Sequence, residues 1–251
     1  MLSFPPGTLA LIGLTFALAG VVKGVAGMGL PTVAMGVLGA FMPPVSAASL
    51  LLIPSFVTNV WQLVTGPDFR ALVARLWAMM AGIFIGTMAG ARLLTGADTR
   101  WTTIGLGVAL AVYALYGLLG RPLSVPKRGE RWLSPLIGLL TGLISGATGV
   151  FNIPAVPYLQ GLNLEKDDLI QALGLSFTVS TIALAIGLAG NGAFHLGNLA
   201  LSALAIVPAL IGMGLGTIIR EKISARTFRV AFLCCLGVLG VELAARSLLS
   251  A

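Results

Sequence analysis

The chain has 251 residues, 57% of them hydrophobic and only 9% charged. A soluble domain carries about a quarter charged residues, so a soluble fold is excluded. A formal net charge of +7 raises nucleic acid as a partner, but no dense Lys/Arg run interleaved with aromatics is present, and nucleic-acid binding is set aside.

Long apolar runs recur along the chain, among them Leu9 to Val22, Val45 to Val64, Leu76 to Ala91 and Leu199 to Ile219. They are continuous and do not alternate at period two, which predicts helices crossing a bilayer and not a barrel. The opening MLSFPPGTLALIG lacks a basic leader and reads as the start of the first span. In chain order, helical segments are expected at 7–25, 31–41, 45–66, 70–94 and 100–119, then at 133–148, 153–162, 167–189, 196–220 and 227–249. The second segment of each set is only about ten residues, roughly 15 Å of helix, or half a bilayer. Trp61, Trp77, Trp101 and Trp132 are expected to anchor at the interfaces. The two cysteines, Cys234 and Cys235, are adjacent in an apolar run and read as small lipid- or helix-facing residues.

Each short segment follows a cluster of glycines and a proline, in VVKGVAGMGLPTV (21–33) and LISGATGVFNIPAV (143–156). The chain either reverses there as a hairpin or continues as one broken crossing. If it reverses, Arg70, Arg75, Arg121, Lys127, Arg128, Arg131, Lys166, Arg220, Lys222, Arg226 and Arg229 share one side. Arg92, Arg100 and Arg246 then take the other, a split of eleven to three. A single crossing divides the same residues seven to seven. The positive-inside rule expects a clear bias, so the hairpin is favoured, with the basic side cytoplasmic and both termini outward.

The halves also match. An offset of 122 lays Gly20, Gly24 and Gly27 on Gly142, Gly146 and Gly149, and one residue of slip brings Pro31 onto Pro154. Ser55-Phe56 then meets Ser176-Phe177, Gly86 and Arg92 meet Gly214 and Arg220, and Thr99 meets Thr227. The expected organisation is a first transmembrane repeat over 1–120, a cytoplasmic linker over 121–132 and a second repeat over 133–251. Five segments per half place the second upside down. The fold class is therefore an all-α polytopic membrane protein built from two inverted repeats, each with a short half-membrane helix hairpin, an organisation typical of transporters.

GVVKGVAGMGLPT, its second copy GLISGATGVFNIP, the PPVSAASLL stretch and GIFIGTMAGARLL together resemble the TauE/SafE sulfite exporter family. The resemblance covers the chain from about Leu9 to Leu249. It implies an inner-membrane exporter of sulfite or small organosulfonates such as sulfoacetate, with other sulfur-containing or carboxylate anions also possible. Family members often carry more consecutive glycines at the breaks, where Met28, Phe151 and Asn152 intervene here.

The breaks themselves suggest chemistry. Glycine allows the positive-φ turns a reversal needs, and proline suits a first helical turn. Two short helices then start with free N–H groups and positive half-dipoles, which favour an anion. The expected cradle is Gly27, Met28, Gly29 and Leu30 from the first break and Thr148, Gly149, Val150, Phe151 and Asn152 from the second. Lys23 either binds the anionic guest or snorkels to the interface; its counterpart is Ser145. Ser55, Asn59 and Gln62 share one face of segment three, and Ser176 and Ser180 with neighbouring Thr181 match them in segment eight. These polar faces line a path or hold helices together.

Other features read as structural. Gly82, Gly86 and Gly90, like Gly138, Gly142 and Gly146, form stripes for close helix contact. Arg92 and Arg220 are expected to cap or anchor helix ends, Glu242 and Arg246 to pair one turn apart, and His195 to be a polar loop residue. Asp68, Asp98, Glu130, Glu165, Asp167, Asp168 and Glu221 fall in loops or at helix ends, with Glu242 near one. No carboxylate is thus placed to carry a coupling proton or sodium, and export need not be proton-coupled. No P-loop, metal cluster or nucleophile set is expected, so neither a cofactor nor enzymatic activity is assigned. An anion importer and an anion channel remain the alternatives, and a homodimer is possible.

Overall fold

A computed structural model describes residues 5–96, 98–120, 124–193 and 196–249, and every regular element among them is helical. In order these are α1 (Pro6–Ala26), α2 (Leu30–Gly39), α3 (Pro44–Val64), α4 (Phe69–Gly96), α5 (Thr99–Leu119), α6 (Lys127–Thr148), α7 (Ala155–Gly161), α8 (Lys166–Gly190), α9 (Leu196–Leu204), α10 (Ile206–Lys222) and α11 (Ala225–Leu249). Seven stretches among the described residues are long and apolar enough to cross a bilayer: α1, α3, α4, α5, α8, the α9–α10 stretch and α11. The chain is a multi-pass membrane protein. His195, Arg121 and the side chain of Arg226 lie outside the described residues.

Helix α6 starts at Lys127, six residues ahead of the expected 133, because its first turns are charged instead of apolar. Glu130 sits in the first turn, where it complements the N-terminal half-dipole, and receives both Nε and Nη2 of Arg75 from α4 at 2.7 and 2.9 Å. Helix α7 is only seven residues long, and Pro154 precedes it instead of occupying its first turn. Pro31, by contrast, does stand in the first turn of α2.

Prolines explain two further details. Pro208 has no N–H for the Leu204 carbonyl and crowds that turn, so the expected 196–220 helix is interrupted at Ala205 between α9 and α10. Pro54 leaves the Leu50 carbonyl equally short of a donor, yet α3 continues through it. Ser202 of α9 supplies the missing bond: its hydroxyl donates to Leu50 O at 2.7 Å and accepts from Ile53 N–H at 3.1 Å. Lipid offers no partner to a freed carbonyl, and here a hydroxyl from a neighbouring helix supplies one.

Several helix pairs meet backbone to backbone. On α4 and α6, a Cβ added at Gly86 or Gly90 would collide with the carbonyl of Leu139 or Leu143, and one at Gly142 or Gly146 with that of Ile83 or Thr87. On α1 and α10, Gly20 and Gly24 face the carbonyls of Ala209 and Met213, while Gly212 and Gly216 face those of Ala17 and Val21. On α5 and α11, a Cβ on Gly107 would stand 2.6 Å from Gly240 O. Gly214, the position matched to Gly86 in the other half, has nothing within 4 Å; Gly212 meets the Ala17 carbonyl of α1 instead. Small residues permit this approach, and dispersion along the whole stripe rewards it.

These contacts also fix the sense of each helix. Numbers rise together along α1 and α10 and along α4 and α6, so both pairs are parallel. Ser55 meets Thr181 while Gln171 meets the Leu63 carbonyl, so α3 and α8 are antiparallel. Arg100, at the start of α5, donates to Ser247 O and Leu248 O at the end of α11, so that pair is antiparallel too. With the other connections reversing direction, an unbroken crossing at α6–α7 would make α3 and α8 parallel, and one at α1–α2 alone would make α1 and α10 antiparallel. The observed senses fit a chain that turns back at both glycine clusters.

Candidate functional site

The first turn-back is built by glycine. Gly27 ends α1 at φ 73° and Gly29 precedes α2 at φ 102°, a region that L side chains rarely adopt. The Gly27 carbonyl accepts from Gln62 Nε2 of α3 at 2.7 Å, which sets the turn two residues short of the end of α3. The first amide of α2 with a backbone partner is that of Val33, which donates to Gly29 O at 2.9 Å. The N–H groups of Leu30 and Thr32 precede it, without a backbone acceptor among the described residues, as the first turn of any helix requires. Leu30 and Thr32 are both fully buried, and the Thr32 hydroxyl has no partner.

One turn before Gly27 is Lys23, only 3% exposed. Its ammonium donates to Asn59 Oδ1. Asn59 Nδ2 donates to Ser55 Oγ at 3.0 Å, and Ser55 lies 3.3 Å from Thr181 Oγ1 of α8. Thr181 has already committed its single proton to Phe177 O at 2.7 Å, so Ser55 must be the donor between them. Every proton in this chain points away from Lys23. An ammonium has three donors; one is used, and no other acceptor and no carboxylate within 4 Å is found among the described residues. Ser176 is level with Asn59 in the antiparallel α3–α8 register, and its buried hydroxyl is unpartnered. Ser180 instead donates back to Ser176 O at 3.0 Å.

The second turn-back is closed more tightly. Gly149 has φ 71°, and a Cβ there would lie 2.8 Å from Met35 Sδ of α2. Thr148 Oγ1 donates to Ile144 O at 2.6 Å and accepts from Val150 N–H at 3.2 Å. Val150, Phe151 and Asn152 are fully buried, with Phe151 against Phe177 at 6.4 Å between ring centroids. Both polar atoms of the Asn152 amide lack a hydrogen-bond partner.

Tyr113 of α5 joins the two breaks. Its hydroxyl donates to Met28 Sδ at 3.6 Å, with the Asn152 side chain close by. Tyr113 was not legible as a site residue, because a tyrosine in the apolar run VALAVYALYGL looks like any buried aromatic. No hydrogen bond among the described residues connects Lys23 with Thr148–Asn152, so the two breaks share Tyr113 and not the lysine.

A cavity of about 300 Å³ opens on the first break and reaches Met28 and Tyr113. Apolar side chains such as Leu169, Ile170 and Phe232 form much of its wall, and its cations are Lys166, Arg220 and Arg229, with no carboxylate on the wall. Arg220 thus faces a cavity in addition to ending a helix. Lys23 is not on the wall, and neither is any residue of Thr148–Asn152. Among the described residues, no group of three or more His, Cys, Asp or Glu side chains could hold a metal ion.

Long apolar helices, two of them ending at glycine turns, define a polytopic membrane protein, and it holds one buried lysine, Lys23, with no carboxylate within 4 Å among the described residues. The family model described as sulfite exporter TauE/SafE matches residues 12–243, and the chain belongs to that family of membrane transporters. No curated protein and no solved structure matches it.

Proposed function

We propose that the protein exports small sulfur-containing anions, such as sulfite, sulfoacetate or related organosulfonates, across the inner membrane. The observation that carries this reading is Lys23: a buried ammonium with two donors unused and no carboxylate within reach. Isolated charge in low dielectric is costly, and an anionic guest would satisfy it. Asn59 and Ser55 orient the lysine; the Ser176 hydroxyl and the free amides that open α2, reached past Gly27, Met28 and Gly29 to Leu30, add neutral donors. The second break, Thr148–Asn152, forms the far wall and closes the path in this conformation. Ser180 belongs to the same α8 face.

The halves 1–120 and 133–251, joined by the 121–132 segment, are read as an inverted repeat. Supporting this, partners exchange between halves: α1 packs on α10 as α6 packs on α4, while α3 with α8 and α5 with α11 each pair across the middle. The basic side, with the 300 Å³ cavity, is then cytoplasmic, and both termini face outward. Lys166, Arg220 and Arg229 would draw anions into that cavity from within the cell. An inside-negative potential contributes about 2.3 kcal/mol per charge per 100 mV, so a dianion leaving across about 150 mV gains about 7 kcal/mol. Export needs no coupled proton on this account.

Proteoliposomes with a clamped potential test it, using sulfite, sulfoacetate, sulfate, thiosulfate and simple carboxylates. Saturable flux of a sulfur anion that rises with the potential supports the reading. Flux indifferent to voltage but driven by a pH step refutes it.

A further inference from the structure

The parallel pair α4 and α6 carries an outward-facing groove of about 1040 Å³ that the transport pathway does not use. Arg75, Lys127, Glu130 and Arg131 stand at one end of it. Arg75 is occupied by Glu130 at 2.7 Å, whereas Lys127 and Arg131 have no carboxylate within 4 Å among the described residues. Beyond the charges Ala78, Ala81 and Gly82 line its floor, and it continues past Ile85 and Leu139. Gly82 is small because α6 presses against it: a Cβ there would lie 2.5 Å from Pro135 O. Trp77 and Trp132 flank the charged end, 65% and 78% exposed.

The dimensions are those of one leaflet. From Arg75 to Ile85 is ten residues, about 15 Å of helix, which is half of a hydrocarbon core about 30 Å thick. The charged end falls where headgroups lie, the tryptophans fall at the interface they favour, and the small-residue floor falls along acyl chains. We propose that this groove is a binding site for an anionic glycerophospholipid, its phosphate held by Lys127 and Arg131 and one acyl chain lying over Ala78 and Ala81. Two unpaired cations select for charge, and a floor lacking large side chains leaves room for a chain; basic recesses between transmembrane helices recognise headgroups in this way.

Native mass spectrometry of the purified full chain with phosphatidylglycerol and phosphatidylcholine in equal amounts tests the site. Each free basic side chain contributes about fivefold, so phosphatidylglycerol should be retained about 25-fold over phosphatidylcholine. Lys127→Ala with Arg131→Ala should erase that preference, and Arg131→Gln alone should leave about fivefold. Both positions are exposed, so folding is not at stake, and a monodisperse gel-filtration peak verifies it. Ala81→Leu should lower retention of both lipids by filling the floor. Equal retention of the two lipids by the unaltered chain, or an undiminished preference in the double variant, overturns the proposal. So does a dimer that Ala81→Leu dissociates, which would make a second copy the occupant.

Discussion

Gly212 and Gly214 lie two residues apart on α10, yet adding one methyl group should have opposite consequences. A Cβ at Gly212 collides with the Ala17 carbonyl, with Ala17 C at 2.9 Å and Val21 N at 3.1 Å. Comfortable carbon contacts are about 3.5–4.0 Å, and the obstacle is backbone, so α1 and α10 must part by up to about 1 Å. The approach at Gly20, Gly24 and Gly216 loosens with them. Overpacking costs about 1–3 kcal/mol, and a clash that opens a whole stripe belongs at the upper end. At Gly214 nothing lies within 4 Å, so alanine meets no obstacle and gains up to about 1 kcal/mol of helix propensity. The variants Gly212→Ala and Gly214→Ala should therefore differ by about 3–4 kcal/mol. Unfolding by SDS in mixed micelles, followed by far-UV circular dichroism, reads the difference directly. Equal loss of stability in the two variants would refute the backbone-contact account of this helix pair.

Ser202→Ala should destabilise by about 1–3 kcal/mol by orphaning the Leu50 carbonyl. Pro54→Ala in the same chain should recover most of that loss, because the helix then supplies its own donor; a double-mutant cycle in the same micelles checks the recovery. Gln171 is fully buried, donates to Leu63 O at 2.8 Å and accepts from Asp68 N–H at 3.2 Å. Gln171→Leu leaves both groups unpaired and should cost about 2–4 kcal/mol, read as a lower unfolding midpoint. Tyr113→Phe keeps the ring and removes only the hydroxyl between the breaks. Transport should slow about three- to tenfold with little change in the unfolding midpoint, as measured by anion counterflow in proteoliposomes.

Much of this arrangement is legible in the sequence. Hydropathy places most helix ends within a few residues, and the glycines at 27, 29 and 149 announce their positive-φ turns. The uneven distribution of Lys and Arg points to the same turn-backs that the α1–α10, α3–α8 and α5–α11 senses together indicate. What escaped reading depends on which face a residue presents. Glycines at 212, 214 and 216 all suit a small-residue stripe, and only packing shows that 214 faces away. The charged start of α6 at Lys127 lies outside the apolar run and is held by Arg75, far off in sequence. Ser202 reads as an ordinary small residue until Pro54 is seen to need a donor. Tyr113 and the free cations of the cavity acquire meaning only from the α5, α8, α10 and α11 side chains gathered around the first break.

The buried lysine is the centre of the account, and equilibrium binding to the purified protein tests it most directly. Labelled sulfite and sulfoacetate should bind the unaltered chain saturably, whereas Lys23→Met, which keeps the stem and removes the charge, should bind at least about a hundredfold more weakly. That factor corresponds to two charge-assisted hydrogen bonds of about 1.5 kcal/mol each. Unchanged affinity in a folded, monodisperse Lys23→Met protein would show that the anion is held elsewhere.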